Sequence, residues 1–267
     1  MFILPAAYCA DGKLIGTAGL MQVEGAGGGG IVPWATLAGY DSQDEVSFNA
    51  VSTRVELDDY RLSVLAASVS IYDRLEISIA QQLFDVPSLS TQIEQQVVGL
   101  KYRLFGDVVY SNYPQVSVGW QHKTLKDGAI ASALGAEDNQ SGNDIYVAAT
   151  KVHLGVLAGF NAVWNVTARA TKANQMGLLG FGGDNNTSYQ IMLEGSAGIL
   201  LSRHIALGVE FRQKPNNLGL GEEHWRDLFV SYIPSKSFSM TLAWTDLGSI
   251  AGAPDQKGFY LSLQGSL

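Results

Sequence analysis

The stretch Arg74-Leu-Glu-Ile-Ser-Ile-Ala-Gln-Gln-Leu-Phe84 decides the fold. Its odd positions Leu75, Ile77, Ile79 and Leu83 are apolar, and its even positions include Arg74, Glu76, Ser78 and Gln82. Alternate side chains of a strand point to opposite faces, so a period of two gives one apolar and one polar face. The same alternation recurs in Gln115–Gln121, Tyr189–Ile199, Ile205–Arg212, Phe238–Thr245 and Phe259–Leu267. Less regular runs at 13–23, 31–40, 45–56, 60–72, 96–105, 144–153, 159–171 and 226–233 bring the expected count to fourteen strands. Twelve follow if the runs at 45–72 or 144–171 are misread.

The connections alternate as well. Those after even-numbered strands are short, such as Asp73, Ser202-Arg203 and Pro234-Ser235-Lys236. Most of those after odd-numbered strands are longer and rich in Gly, Asn and Asp: 24–30, 85–94, 124–143, 172–188, 215–225 and 247–256. Short turns on one side and long loops on the other, with an even strand count, describe a transmembrane barrel whose termini are periplasmic. Lipid offers the backbone no hydrogen bonds, so a sheet that crosses a membrane must close on itself. A soluble sandwich packs its strands into shorter repeats, whereas here strands of about ten residues match the 9–11 needed per crossing. The expected architecture is therefore all-β, a transmembrane antiparallel up-and-down barrel over residues 11–267 in a bacterial outer membrane.

Composition agrees. Hydrophobic residues make up 46% and charged residues 16%, with 30 Gly and 7 Pro, a mixture suited to strands and tight turns. The formal net charge of −8, without a basic block, argues against a nucleic-acid partner. The longest uncharged run, between His153 and Arg169, is too short for a spanning helix of about 20 residues. Residues 1–10 (MFILPAAYCA) read as a signal-peptide remnant, cleaved after Cys9 or Ala10. Tyr8 argues against lipid attachment at Cys9, and a single cysteine makes no internal disulfide.

The terminal run Gly258-Phe-Tyr-Leu-Ser-Leu-Gln-Gly-Ser-Leu267 resembles the C-terminal strand of outer-membrane proteins, except that it ends in Leu rather than an aromatic residue. Three further blocks are Gln22-Val-Glu-Gly-Ala-Gly-Gly-Gly-Gly30 with Pro33-Trp34, Thr171–Asp184, and Arg212-Gln-Lys-Pro-Asn-Asn-Leu-Gly219. With Asp227-Leu-Phe-Val230 and Tyr260–Gln264, they resemble an uncharacterised proteobacterial family, a domain of unknown function assigned to outer-membrane barrels. The resemblance spans nearly the whole chain after residue 12. It implies a fold and a location, and carries over no catalytic or binding residue.

Function is read from the inward face. Arg74, Glu76, Lys101, Arg103, Lys151, Arg169, Glu194, Glu210 and Arg212 are expected to line the lumen, because an Arg or Lys facing mid-bilayer lipid costs roughly 2–4 kcal/mol. Their mixed signs favour a paired network over a field for one ion sign. Glu194, Glu210 and Arg212 form the expected central trio. The apolar, Gly-rich loop 172–188 holds Met176, Leu178, Leu179 and Phe181. It either folds into the mouth as a constriction or packs over the rim against Leu218, Leu220 and Trp225.

These readings point to a narrow channel or transporter for small solutes, apolar ones included, with outer-membrane lipid around it. The alternative is a structural barrel that scaffolds a periplasmic or surface protein. A lipid hydrolase is a third reading, with His122 or His153 as base and Ser117 or Ser196 as distant nucleophiles, but no motif joins them. No cofactor is implied, and no residue set has metal-ligand spacing. The Asp138–Asp144 loop has a calcium-like composition that acidic turn residues share.

Overall fold

The computed structural model describes residues 13–267, so the segment read as a signal remnant lies outside the described residues. Twelve antiparallel strands form one closed barrel. They are β1 (Val46–Leu57), β2 (Arg61–Ile71), β3 (Leu75–Val86), β4 (Thr91–Phe105), β5 (Gln115–Leu125) and β6 (Ser141–Leu157). The second half comprises β7 (Phe160–Thr171), β8 (Gln190–Leu200), β9 (Ile205–Arg212), β10 (Trp225–Ser235), β11 (Phe238–Asp246) and β12 (Lys257–Ser266). Each strand pairs with its sequence neighbours, and β12 closes on β1 in a register running from Gly258↔Leu57 to Ser266↔Asn49. Closure leaves no strand edge exposed to lipid.

The expected alternation holds on the wall. In β3, Ile77 and Ile79 face outward and are exposed, while Glu76, Ser78, Ala80 and Gln82 are buried inside. Outward aromatic residues such as Phe48, Tyr102, Trp120, Phe160, Tyr232, Trp244 and Phe259 suit the membrane interfaces and core. Connections after even-numbered strands run from two residues, between β6 and β7 and between β10 and β11, to nine between β4 and β5. Those after β5, β7, β9 and β11 are long, and the first of them carries the helix α1 (Ala129–Ala133).

The count of fourteen is corrected to twelve, and the missing pair is not the one expected. The runs at 13–23 and 31–40 form no wall strands. They run up and back down inside the lumen, entering at the short-turn end and joining β1 through residues 41–45. Regular pairing within the segment is limited to a two-residue ladder, Leu20↔Gly28 and Met21↔Gly27, and the isolated bridges Gly19↔Ala38 and Gly28↔Pro33. The segment 24–30, expected as an outer loop, is the tip of this re-entrant hairpin. Small residues allow its close fit: a Cβ on Gly29 would stand 2.6 Å from Glu210 Cδ, and one on Gly27 would stand 2.4 Å from Ala38 N. Gly25 also adopts a left-handed φ of +89°, which turns the tip.

The re-entrant segment explains why the first two barrel strands alternate poorly. Val51, Val55, Leu62, Val64 and Ala66 point inward yet are apolar, because they bury in one cluster with Met21, Val23, Ile31 and Val32 of the segment. Both faces of these strands meet apolar surroundings, one lipid and one protein, so the polar half of the pattern is lost.

A candidate functional site in the lumen

The re-entrant segment has few regular backbone hydrogen bonds of its own, so its buried N–H and C=O groups need other partners. The lumen wall supplies them. Glu76 of β3 accepts from Gly27 N at 2.9 Å and Ala38 N at 2.6 Å. Lys101 of β4, paired to Glu76 at 3.4 Å, donates to Thr36 O at 3.0 Å and also to Gly27 O. Glu210 of β9 accepts from Gly30 N at 2.6 Å and Ile31 N at 2.8 Å. Thr150 receives Ala35 N, while Gln115 and Ser117 donate to Ala35 O. Trp34 Nε1 donates to Ser196 Oγ at 2.8 Å.

The centre of this arrangement is Glu24, a residue of the hairpin tip with no exposed surface. It pairs with Lys123 of β5, with Arg169 of β7 at 3.3 Å and with Arg212 of β9 at 2.8 Å. Two wall carboxylates complete the network. Asp144 of β6 pairs with Lys123 at 2.6 Å and Arg169 at 3.2 Å. Glu194 of β8 pairs with Arg169 at 2.5 Å and with Arg212 at 3.5 Å. Tyr146 supports Arg169 from below, with the guanidinium carbon 5.4 Å from the ring centroid. Three anions and three cations are thus gathered in a site without water access, where each charge needs its partners.

Of the nine charged residues expected inside, Glu76, Lys101, Arg169, Glu194, Glu210 and Arg212 are buried in the lumen. The expected trio divides: Glu194 pairs with Arg212, but Glu210 holds the backbone of the re-entrant segment instead. Three assignments are corrected. Arg74 is exposed on the turn between β2 and β3 and reaches only Leu104 O, at 3.4 Å. It has the inward parity but lies beyond the end of the strand. Arg103 is half-buried at the short-turn rim, tied to Asp73 and to Asp107. Lys151 has the outward parity of Ile145 and Val147, and folds back onto the carbonyls of Asp107, Val109 and Ser111 in the β4–β5 turn. A long stem lets it escape lipid at the rim without entering the lumen.

Sequence reasoning missed Glu24, Lys123, Asp144 and Asp227. Lys123 and Asp144 border the run 124–143, which reads as a loop. Their parity with Gln121 and Tyr146 was the available signal. Glu24 was hidden by the reading of 24–30 as a surface loop. The signal there was a lone carboxylate in a run, Gly19 to Trp34, otherwise almost free of charge.

The loop between β7 and β8 closes the other end. Met176, Leu178, Leu179 and Phe181 are all buried, and the first three join the cluster of Ile93, Val97, Leu125 and Ala131. Gln95 of β4 donates to Met176 O at 3.2 Å. The loop therefore folds into the mouth, and Leu218 of the β9–β10 loop packs beside it. Lys214 of that loop ties the mouth loops together, donating to Glu222 at 2.9 Å and to Ser249 O at 2.7 Å. Burial lowers its pKa below the usual lysine range, and the Glu222 carboxylate opposes this. Two spaces left beside the re-entrant segment are small. One, of about 50 Å³, is lined by Leu20, Trp34, Val152, Val163 and Phe229. The other, of about 200 Å³, lies at the short-turn mouth beside Lys13, Asp73, Arg103 and Asp107.

The residues of the hydrolase reading do not meet. His122 contacts Asn143 Oδ1 at 3.0 Å, and His153 accepts from Trp164 Nε1 at 3.0 Å, both on the outer side. Ser117 and Ser196 face the lumen and bond there. In the Asp138–Asp144 loop, Asp138 caps backbone N–H groups of its own turn while Asp144 points into the lumen network, so the two do not converge.

A closed twelve-strand barrel with an apolar, aromatic-studded outer wall and a polar-lined interior defines a bacterial outer-membrane β-barrel protein. Solved structures of that class share its fold. The KdgM porin superposes with a TM-score of 0.53 at 9% identity, over 82% of this chain and 99% of its own. The Acinetobacter baumannii outer membrane protein Omp33 gives 0.51 at 6% identity, over 85% and 100%. LpxR from Salmonella typhimurium gives 0.50 at 10%, over 82% and 99%. At these identities the likeness is one of fold and location. A family model described as "Protein of unknown function (DUF3034)" matches residues 17–264, and the chain belongs to that family. No curated protein matches it.

Proposed function

We propose that the protein is an outer-membrane channel or transporter for small solutes, held closed by residues 13–45. One observation carries this reading. The obstruction is a single chain segment, joined to the wall through 41–45, whose polar groups are held by lumen side chains rather than by a ladder of strands. Contacts of that kind can be exchanged for water when the segment leaves. Its departure uncovers a polar wall on β5–β9 and an apolar one on β1–β3. A passage with both characters suits small amphipathic or apolar solutes. The long-loop end needs a second movement, of Met176–Phe181.

Planar-bilayer recording on the purified protein tests this. Wild type is expected to be nearly silent, and the double variant Glu24→Gln/Glu210→Gln to show discrete openings. If the variant segment becomes protease-sensitive in solution while conductance stays absent, the channel reading fails.

A second reading is supported by the occlusion at both ends, which also suits a structural barrel that scaffolds a partner. A stoichiometric protein that co-purifies with the barrel and is lost from a silent variant supports this alternative.

A further inference from the structure

Among the described residues, the central charges of the lumen are paired except at one place. Glu24, Asp144 and Glu194 face Lys123, Arg169 and Arg212, and Glu76 faces Lys101. Glu210 and Asp227 remain. They are directly opposite each other across the β9–β10 pair, on the lumen face, and both are buried, at 2% and 5% exposure. The contacts of Glu210 are all with neutral donors: Gly30 N, Ile31 N, Trp34 Nε1 and Ser196 Oγ. Neither carboxylate oxygen of Asp227 has a hydrogen-bond partner. Thr245 stands opposite Asp227 across the β10–β11 pair. It is 1% exposed, and its hydroxyl oxygen is also without a partner.

Both carboxylates flank one spot on the re-entrant segment. A Cβ at Gly30 would lie 3.3 Å from Glu210 Oε2 and 3.5 Å from Asp227 Oδ2. Opposed residues of an antiparallel pair have Cβ atoms only about 4.5–5.5 Å apart, so the two carboxylates and the threonine hydroxyl converge. Two uncompensated carboxylates in a site closed to water carry a large desolvation penalty until a proton or a metal cation neutralises them.

We propose that Asp227, Glu210 and Thr245 bind one divalent cation of the calcium class. The donor set is all oxygen, which hard cations prefer, and the charge deficit of the pair equals one divalent ion. Calcium accepts six to eight oxygens in flexible geometry at about 2.3–2.6 Å, waters among them. Asp227 supplies two oxygens and Thr245 a neutral one, waters fill the remaining positions, and Glu210, whose oxygens already accept from Gly30 N, Ile31 N, Ser196 Oγ and Trp34 Nε1, contributes its charge beside the ion. Because Glu210 also holds Gly30 and Ile31, the ion clamps the re-entrant segment to β9–β11. The site stands on its own donor set and does not depend on conduction.

Equilibrium dialysis of the chelator-stripped, purified barrel against radioactive Ca²⁺, with Mg²⁺ as competitor, tests it. The expected result is one Ca²⁺ per wild-type barrel, at least tenfold weaker binding in Asp227→Asn and a smaller loss in Thr245→Val. Chelator should lower the thermal midpoint of wild type and leave that of Asp227→Asn unchanged. Absence of stoichiometric binding by wild type, or binding that survives both substitutions, overturns the proposal. So does an Asp227→Asn barrel more stable than wild type at saturating Ca²⁺, since the carboxylate would then be a burden with no ion to hold. If Asp227→Asn does not fold, Thr245→Val and the wild-type chelator comparison decide alone.

Discussion

Replacing Glu24 by Gln removes the one carboxylate that the re-entrant segment contributes to the central network, at nearly constant volume. Breaking a buried ion pair by removing one partner typically costs about 3–5 kcal/mol, because the other charge is left buried and uncompensated. Here the cost is moderated. Lys123 keeps Asp144 at 2.6 Å, Arg169 keeps Asp144 and Glu194, and Arg212 keeps Glu194 at 3.5 Å with Ile31 O at 3.0 Å. A weakening of closure by about 2–4 kcal/mol is expected. At 1.4 kcal/mol per factor of ten, that is a rise of about 30- to 700-fold in the population with the segment released. Amide hydrogen exchange reads it directly, since local opening sets the protection of buried amides. The amides of Gly27, Gly30, Ile31 and Ala38, all bonded to lumen carboxylates, should lose protection by that factor while those of β10–β12 do not. Unchanged exchange in the segment refutes the reasoning. So does an equal loss in the wall strands, which would mean that the network holds the barrel rather than its filling.

Other perturbations address separate parts of the argument. Gly29→Ala should push Glu210 away from Gly30 and Ile31 and increase proteolysis of the segment, whereas Gly265→Ala, with open space around it, should not. Arg at Leu263, on the outer face, should cost roughly 2–4 kcal/mol of membrane stability, seen as loss of the folded band in cold detergent gels. Arg at Ser262 meets a different obstacle: Ser262 is buried and receives Thr53 Oγ1 at 2.9 Å. It should leave the barrel folded but displace the segment, raising its protease sensitivity. In the β4–β5 turn, burial pushes the Asp107 carboxyl up, but the N–H groups of Tyr110 and Val109 and the nearby Arg103 outweigh it and hold the pKa below the usual range. The stability from Asp107 is therefore complete above the ordinary carboxylate pKa and lost as pH falls through the lowered value. Exchange in residues 106–114 should accelerate across that window, and Asp107→Asn should abolish the change.

The wall was legible because each of its strands separates lipid from lumen, and that separation writes a period of two. It was least legible in 45–72, where Val51, Val55, Leu62 and Val64 meet an apolar filling that the local sequence does not announce. The filling itself has no period, since Met21 to Val32 is buried on every side. A run such as Gln22–Gly30 then looks like a loop by composition, although its glycines serve close approach to Glu76 and Glu210. Charged residues deep in strands follow parity: Glu76, Lys101, Arg169, Glu194, Glu210 and Arg212 are all buried on the lumen side. Arg74 and Arg103 do not, because at the rim a long side chain can reach water or a turn from either face, and Lys151, within β6, has the outward parity and folds back onto the β4–β5 turn. Lys123 and Asp144 show the reverse case, where strands extend beyond the composition boundary and carry charges into the lumen.

Among the contacts of the re-entrant segment is one from Met21 N to Gln264 Oε1, at 2.7 Å, across 243 residues of sequence. Gln264 lies on β12, the strand that seals the barrel against β1. The first part of the described chain is therefore completed by its last strand. Contacts of such separation slow folding, because a long loop must close before they form. Until β12 arrives, the inner side chains of β1 and the segment lying on them lack their cover. The segment is then positioned to act as a mandrel, around which the growing sheet curls before its final seam is made.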